Sequence, residues 1–217
     1  INDWWVNMAP MSTRLGWVAS ECRARGLRRV VELGSVDGGS IMSLCQRIPD
    51  IEWHGVEVNP AAVAHGKMLA QKHGLIDKFK LHNVSNFKQF ATRVQFAEEA
   101  RFKGHPSDLC KFDAVMLFEI LEHNCPEECR RLMETARDIV RPGGRIFIST
   151  PHGNWSLHDE TTQNLELRKD HIYAWTEKRM EKFIQSFDFA SDVQSVKVEN
   201  EAYHEGNAWV FASFEVK

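Results

Sequence analysis

Short apolar runs alternate with amphipathic segments along most of this 217-residue chain. The run RRVVELGS leads from apolar residues into a glycine turn, as is typical of a buried strand. The runs IEWHGVEV, KFKLHNV, FDAVMLF and RIFIST predict four further strands. Between them, apolar residues recur at helical spacing in segments that begin near Met11, Gly39, Pro60 and Pro126. This alternation predicts an α/β fold, a mostly parallel sheet with helices on both of its faces.

Several segments go beyond this plain alternation. Residues 1–26 predict a helical cover at the N-terminus, and residues 87–111 predict a helical insertion between the third and fourth strands. The sequence RPGG is expected to end the helix that runs from Pro126 to Val140, and a polar loop is expected from Pro151 to Lys169. Thr176 then predicts the N-cap of a helix, and VQSVKVE and AWVFASFEV predict an antiparallel pair. Without a repeat or a low-complexity linker, residues 1–217 predict one domain.

The composition is that of an ordinary globular protein. Hydrophobic residues make up 43% of the chain and charged residues 26%, which supports a full core and argues against disorder. The net charge of -3 gives no field that would hold long nucleic acid. Five cysteines without framework spacing favour a reduced, cytoplasmic protein, and no apolar run predicts a signal peptide or a membrane span. The pattern does not indicate an oligomeric state.

The segment VVELGSVDGGS carries the strongest local signal, because a buried strand leads into a glycine turn that opens a helix. Gly34 permits a sharp turn, and Gly38 lies where the first N–H groups of the helix can bind an anionic ligand. Glu57 ends the next strand, where an acidic side chain can accept hydrogen bonds from both ribose hydroxyls of an adenosine. Together the two segments favour a nucleotide-like ligand over a plain strand-to-helix turn.

With FDAVMLFEILEH and RPGGRIFISTP, these segments resemble, in order, the motifs of class I S-adenosylmethionine-dependent methyltransferases. The resemblance extends over most of the chain. It implies an enzyme with a Rossmann-like sheet of seven strands, a C-terminal antiparallel hairpin, and S-adenosyl-L-methionine as its cofactor. The cofactor-binding residues that it implies are Glu32, Gly34, Ser35, Gly38, Glu57, Val58, Ser85 and Phe118.

The chain departs from the family pattern at two places. Val36 stands where the family usually has a glycine, and a β-branched residue restricts the turn. The segment LHNVSNF lacks the acidic residue that often binds the adenine amine, which leaves Asn83, Ser85 and Asn86 as alternatives. If both departures impair the site, the chain is a methyltransferase-like binding subunit without catalytic activity.

The segment EILEH follows the fourth strand and holds two carboxylates and an imidazole. Glu119, Glu122 and His123 can converge on a divalent ion. Similar LEH segments also occur in methyltransferases that use no metal, where the histidine packs near the active site. On these residues alone, both interpretations stay open.

The segment DHIYAWT adds His171 and resembles part of the small-RNA 3′-terminal ribose 2′-O-methyltransferases. In that family two glutamates and two histidines bind the ion. The resemblance therefore implies that Mg or Mn is bound by Glu119, Glu122, His123 and His171, and that Glu119, His123 and His171 are catalytic. The ion would lower the pKa of the ribose 2′-hydroxyl.

The same region, through EILEH, STPHGNW and HIYAWT, also resembles bacterial glycan methyltransferases. Both resemblances imply O-methylation of a sugar hydroxyl. The negative net charge favours a glycan or another sugar-containing small molecule as the acceptor. A short RNA end remains the alternative, because it needs only a few phosphate contacts.

Overall fold

The computed structural model describes residues 13–103, 110–152, 171–199 and 208–217. The strands within them form one sheet in the order β3-β2-β1-β4-β5-β7-β6. The first five pair in parallel, whereas β7 is antiparallel to both of its neighbours. The strand bounds are β1 Arg29–Leu33, β2 Glu52–Glu57, β3 Phe79–Asn83, β4 Phe112–Phe118, β5 Val140–Pro151, β6 Ala190–Glu199 and β7 Ala208–Val216. The predicted Rossmann-like sheet and C-terminal hairpin are confirmed.

Helices cover both faces of the sheet. One apolar core lies under α1, α2 and α3, and a second lies under α4, α5 and α6. In the part of the chain that the structure describes, no helix is long and apolar enough to cross a membrane. The helices are α1 Thr13–Ala24, α2 Gly39–Arg47, α3 Pro60–Lys72, α4 Phe87–Phe102, α5 Pro126–Ile139 and α6 Glu177–Gln185, with a 3₁₀ turn at Leu121–His123.

The helix α1 belongs to the predicted N-terminal cover, of which residues 1–12 lie outside the described ranges. The Trp17 ring meets Phe147 of β5 edge-on, with centroids 5.4 Å apart, and stacks on Phe211 of β7 at 5.9 Å. These contacts fix α1 across the half of the sheet that contains β5 and β7.

The helix α4 takes up most of the segment 87–111, and residues 104–109 lie outside the described ranges. The Asn86 side chain caps it by accepting a hydrogen bond of 2.9 Å from the Gln89 amide. Thr176 caps α6 in the same way, as predicted, through the Arg179 amide at 3.3 Å. Local capping chemistry therefore sets the start of both helices.

The strand β5 is longer than the predicted run RIFIST, although α5 ends at Ile139, before RPGG, as predicted. It begins at Val140, directly after α5, and residues 141–144 form an irregularity inside the strand. The Arg141 Nε donates a hydrogen bond of 2.6 Å to Asp113, next to the irregularity. Gly144 fits because a Cβ at that position would lie 2.6 Å from the Asp113 carbonyl oxygen. Tertiary contacts thus keep in the sheet a segment with the composition of a turn. Residues 153–170 of the predicted polar loop lie outside the described ranges.

Candidate cofactor site and active site

The parallel strands end at one side of the sheet, which we call the carboxyl edge: residues 34–38 after β1, 57–59 at the end of β2, and 119–123 after β4. The strand order reverses between β1 and β4. In open α/β sheets, ligands bind at the carboxyl ends of the strands where the order reverses. The carboxyl edge is therefore where we place the candidate site.

The glycine turn between β1 and α2 requires its two first glycines. Gly34 has φ 77° and Gly38 has φ 79°, a left-handed conformation that other residues rarely adopt. The Gly34 amide donates a hydrogen bond of 2.9 Å to the Val56 carbonyl oxygen, which ties the turn to β2. A Cβ on Gly34 would lie 2.7 Å from Cδ1 of Ile120, so the turn also packs closely against the residues after β4.

Glu57 fixes the other side of this turn. Its Oε2 accepts a hydrogen bond of 2.9 Å from the Val36 amide, and its Oε1 accepts bonds of 2.8 Å from the amides of Val58 and Asn59. A carboxylate offers about four acceptor positions, so at least one remains for a ribose hydroxyl. The structure thus places Glu57 beside the glycine turn, where the sequence predicts the ribose.

Glu32 and Arg14 each have a buried polar atom without a hydrogen-bond partner among the described residues. Glu32 is 3% exposed, and its Oε2 has no hydrogen-bond partner among the described residues. Burial raises the pKa of Glu32 to about 8, and the positive charge of Arg14 opposes that rise. The Arg14 Nε is also buried without a partner in the described ranges. Buried polar atoms are usually satisfied, so this pair has the character of a polar binding subsite.

Glu119 is the residue directly after β4 and has a positive φ of 50°. Its amide donates to the Ser149 carbonyl oxygen at 2.9 Å. Its Oε1 accepts hydrogen bonds from Ser149 Oγ at 2.7 Å and from Arg14 Nη1 at 2.9 Å. Its Oε2 accepts a bond of 3.3 Å from Trp209 Nε1. The carboxylate therefore joins α1 to the ends of β5 and β7.

Glu122, His123 and His171 form a compact group beside Glu119. Each offers one ligand atom, and the three atoms lie within 4.8 Å of one another. Glu122 is buried, and Thr150 Oγ1 donates to its Oε2 at 3.0 Å. Its carbonyl oxygen accepts a hydrogen bond of 2.8 Å from the Ile172 amide, which brings His171 to the group. Burial, assisted by the negative charge of Glu119, raises the pKa of Glu122.

The group Glu122, His123 and His171 offers three of the four ligands that the sequence predicts for a divalent ion. One carboxylate and two imidazoles suit borderline ions, so of the two predicted ions Mn²⁺ matches the donors better than Mg²⁺. The predicted fourth ligand, Glu119, does not belong to the group, because its carboxylate is held by Arg14, Ser149 and Trp209. The structure brings together three of the four predicted ligands.

Asn83, Ser85 and Asn86 are the candidates for binding the adenine amine, and they differ in the hydrogen bonds that they already make. The Asn83 amide donates to the Glu57 carbonyl oxygen at 3.0 Å, and Asn86 caps α4. The Ser85 amide is held by Gln89 at 3.1 Å, whereas its hydroxyl supports no backbone group and has only a 3.5 Å contact from the Asn86 amide. Ser85 is therefore the best placed of the three.

The remaining predicted cofactor residues also lie at the carboxyl edge. Val58 is 43% exposed beside Glu57, and Phe118 is buried at the end of β4. Ser35 is buried in the glycine turn, and its Oγ has no hydrogen-bond partner among the described residues. Every cofactor-binding residue predicted from the sequence thus lies along one side of the sheet.

A family comparison agrees with this geometry. Residues 13–194 match the model of a family described as a methyltransferase domain. The chain belongs to this methyltransferase-domain family. The resemblance to class I S-adenosylmethionine-dependent methyltransferases, which the order of motifs predicts, is confirmed.

Curated relatives of this methyltransferase domain are distant. A ubiquinone biosynthesis O-methyltransferase from Ralstonia nicotianae is 25% identical over 192 residues, covering 86% of this chain and 68% of that protein. The enzyme of the same name from Paraburkholderia phymatum is 25% identical over 141 residues, covering 65% of this chain and 51% of that protein. The chain spans about half the length of most of the curated relatives it matches.

Among solved structures, the methyltransferase domain of a bacterial Hen1, CtHen1-C, superposes with a TM-score of 0.68 at 19% identity. The match covers 94% of this chain and 96% of that one. At this identity the likeness establishes the fold of the methyltransferase domain.

Arg14 is the polar residue of this methyltransferase domain that sequence reasoning missed. It lies near the start of α1, and only the ion pair with Glu119 shows that it reaches the carboxyl edge. The only signal in the sequence is a basic side chain one residue before Leu15 on a helix that otherwise packs by apolar residues. That signal does not distinguish a ligand-binding arginine from a solvated one.

Proposed function

We propose that this domain transfers a methyl group from S-adenosyl-L-methionine to a hydroxyl of a sugar-containing glycan or small molecule. One observation carries the proposal: the carboxyl edge holds a polar subsite beside the glycine turn and, next to it, the group Glu122, His123 and His171. The first can bind the cofactor, and the second can assist the acceptor.

Arg14 and Glu32 suit the two ends of an amino acid, because a bound ammonium group would lower the raised pKa of Glu32 and favour its carboxylate form. The guanidinium of Arg14 would bind the carboxylate of the methionine part, and Glu32 would bind its ammonium group. Glu57 would bind the ribose, two strands from Glu119, and Ser85 would approach the adenine. This assignment uses the unsatisfied atoms of Arg14 and Glu32, which have no other function in the described structure.

The reaction is an in-line displacement at an activated methyl group. The acceptor oxygen attacks the methyl carbon, a C–O bond forms, the C–S bond breaks, and sulfur keeps the electron pair. His123 or His171 can take the hydroxyl proton as a general base. The glycine turn and Glu57 contribute by aligning the reacting atoms.

A divalent ion held by Glu122, His123 and His171 would supply a Lewis acid that lowers the pKa of the acceptor hydroxyl. The residues do not require it, since an imidazole can also act alone as a base. With such an ion bound, the 3′-terminal ribose of a short RNA would be a second candidate acceptor. Its adjacent hydroxyls can both approach one cation.

The test is methyl transfer from labelled S-adenosylmethionine, measured with Mn²⁺ and with chelator. The acceptors are a methyl glycoside, a catechol, a short single-stranded RNA, and the same RNA ending in a 2′-deoxy sugar. We expect label on the glycoside, and we expect His171→Ala to abolish it. His73→Ala is the matched control, because His73 lies at the opposite end of α3 from the carboxyl edge.

The outcomes separate the candidates. Label on RNA that requires both Mn²⁺ and the 2′-hydroxyl would favour the RNA end, and label on catechol alone would exclude the sugar acceptor. Binding of S-adenosylhomocysteine without transfer to any acceptor would favour the non-catalytic binding subunit. If calorimetry detects no S-adenosylhomocysteine binding, the proposed function is wrong.

A further inference from the structure

Glu119 has a structural position that its predicted metal and catalytic roles do not explain. Its carboxylate makes three polar contacts, to Arg14, Ser149 and Trp209, and none of these residues belongs to the group Glu122, His123 and His171. The contacts reach α1, β5 and β7, so the carboxylate is fixed from three elements at once. A carboxylate that is held from three elements can orient a side chain that it contacts.

The residue that Glu119 orients is Arg14. The pair is joined through Nη1 of Arg14 at 2.9 Å, and both side chains are only about one quarter exposed, at 25% and 29%. This contact occupies one end of the guanidinium and leaves Nε, which is buried and without a partner among the described residues. A planar guanidinium with one nitrogen held cannot rotate freely, so the direction of its remaining donors is set.

The backbone supports the same conclusion. Glu119 has φ 50°, a left-handed conformation that residues other than glycine rarely adopt. It is held there by the hydrogen bond from its amide to the Ser149 carbonyl oxygen. The conformation turns the chain sharply at the end of β4, and the carboxylate meets α1 rather than solvent.

We propose that Glu119 is a positioning residue for the cofactor: it holds Arg14 so that the free donors of the guanidinium meet the carboxylate of the methionine part. This inference rests on the proposed function. It means that α1 takes part directly in cofactor binding. It also predicts that Glu119 and Arg14 affect cofactor affinity as one unit when no metal is added.

The test is a double-mutant cycle on S-adenosylhomocysteine affinity, measured by calorimetry in the presence of chelator. We expect Arg14→Ala to weaken binding about tenfold or more, the value of one charged hydrogen bond. Glu119→Gln keeps the shape of the side chain but loses its charge, and we expect a loss of about fivefold. In the double variant the loss should be that of Arg14→Ala alone, because Glu119 acts through Arg14.

Two further variants show whether a loss of affinity comes from the changed contact or from a failure to fold. Glu119→Asn removes the charge but suits a positive φ, so it should fold at least as well and weaken binding as Glu119→Gln does. Trp209→Phe removes one hydrogen bond to Glu119 and keeps its carboxylate, so its effect should be smaller. A thermal melt of each variant separates loss of affinity from loss of folding.

The inference is overturned if both Glu119 variants bind S-adenosylhomocysteine like the wild type, or if the two losses add in the double variant. It is also overturned if Arg14→Ala has no effect, and in that case the proposed function can still hold. Absence of binding by the wild type would instead refute the proposed function itself.

Discussion

The side chain of Val36 is poorly suited to the backbone conformation that the residue has in the glycine turn. Val36 has φ 51°, although its β-branched side chain is poorly suited to a left-handed conformation, and the side chain is 61% exposed. Its amide nevertheless donates to Glu57, a contact that joins the glycine turn to β2. The hydrogen bond and the strain therefore occur at the same residue, so the turn keeps its geometry against the preference of the side chain.

Replacing Val36 by glycine should relieve this strain. We expect Val36→Gly to raise the free energy of unfolding by up to about 1 kcal/mol, because the relieved strain exceeds the entropy that glycine adds to the unfolded chain. The measurement is urea denaturation. Val58→Gly is the matched control, since Val58 is also exposed but has no positive φ, and it should lose stability. An equal loss in both variants would contradict the account.

The residue scale is also where sequence reasoning is incomplete. Gly34, Gly38 and Glu57 could be predicted, because a turn of this kind demands particular residue types in a fixed order. Arg14 could not, because its position depends on how α1 packs across the sheet. The place of Glu119 outside the group Glu122, His123 and His171 likewise follows from contacts with Arg14 and Trp209, which are distant in sequence.

At the scale of elements, α1 matters more than its predicted role as a cover suggests. Trp17 fixes the helix on Phe147 and Phe211, and three residues earlier Arg14 reaches Glu119. One side of the helix therefore packs on the sheet while its N-terminal end contributes to the carboxyl edge. A substitution that loosens the packing of α1 on the sheet should therefore weaken binding at the candidate cofactor site.

Replacing Trp17 by alanine tests this coupling. We expect Trp17→Ala to cost about 2 kcal/mol of stability, less than for a fully buried tryptophan, and to weaken S-adenosylhomocysteine binding because Arg14 loses its support. Thermal denaturation and calorimetry measure the two effects. Phe96→Ala is the control, since Phe96 is 65% exposed on α4 and should change neither. Unchanged affinity in a destabilised Trp17→Ala variant would separate α1 from the site.

The elements themselves were largely predictable from periodicity and capping signals. The exception is the start of β5, which already includes residues 141–144, whereas proline and glycine there indicate only the end of α5. Local composition predicts that end of the helix. It cannot describe the contacts of Asp113 and Arg141, which keep the segment within the sheet.

At the scale of the whole molecule, buried His54 and half-buried His82 form a pair that contributes to the dependence of stability on pH. His54 Nδ1 and His82 Nε2 lie 2.9 Å apart under α4, so the two rings share a hydrogen bond that a second proton would break. Burial lowers the pKa of both to about 4. The charged groups around the pair are Glu52, which favours protonation, and Arg29, Lys67, Lys80 and Arg93, which oppose it.

The sign of the effect follows from these values. Between about pH 6.5 and 4 these two histidines bind more protons in the unfolded chain than in the folded one, so their contribution to stability falls as the pH falls. Glu32 and Glu122, whose pKa values are raised by burial, bind more protons in the folded chain over part of this range and oppose the fall. The contribution of the histidines is therefore measured against a variant, by urea denaturation at successive pH values. His82→Gln keeps a hydrogen-bonding partner for His54 and removes one titrating ring, so we expect it to retain about 2 kcal/mol more stability than the wild type as the pH falls through this range. An identical slope in that variant would show that other groups are responsible.

The strand order of the sheet has a consequence for how the molecule forms. The strand β7, the last along the chain, lies between β5 and β6, and its Ser213 accepts a hydrogen bond of 2.8 Å from the buried Arg145. Until residues 208–216 are available, β5 keeps an open edge, β6 has no neighbour in the sheet, and Arg145 lacks this partner. Synthesis of the chain should therefore produce a long-lived incomplete sheet with an exposed edge, a form that is prone to pair with other chains. Ribosome-bound fragments that stop before residue 208 should need chaperone protection that the full-length domain does not.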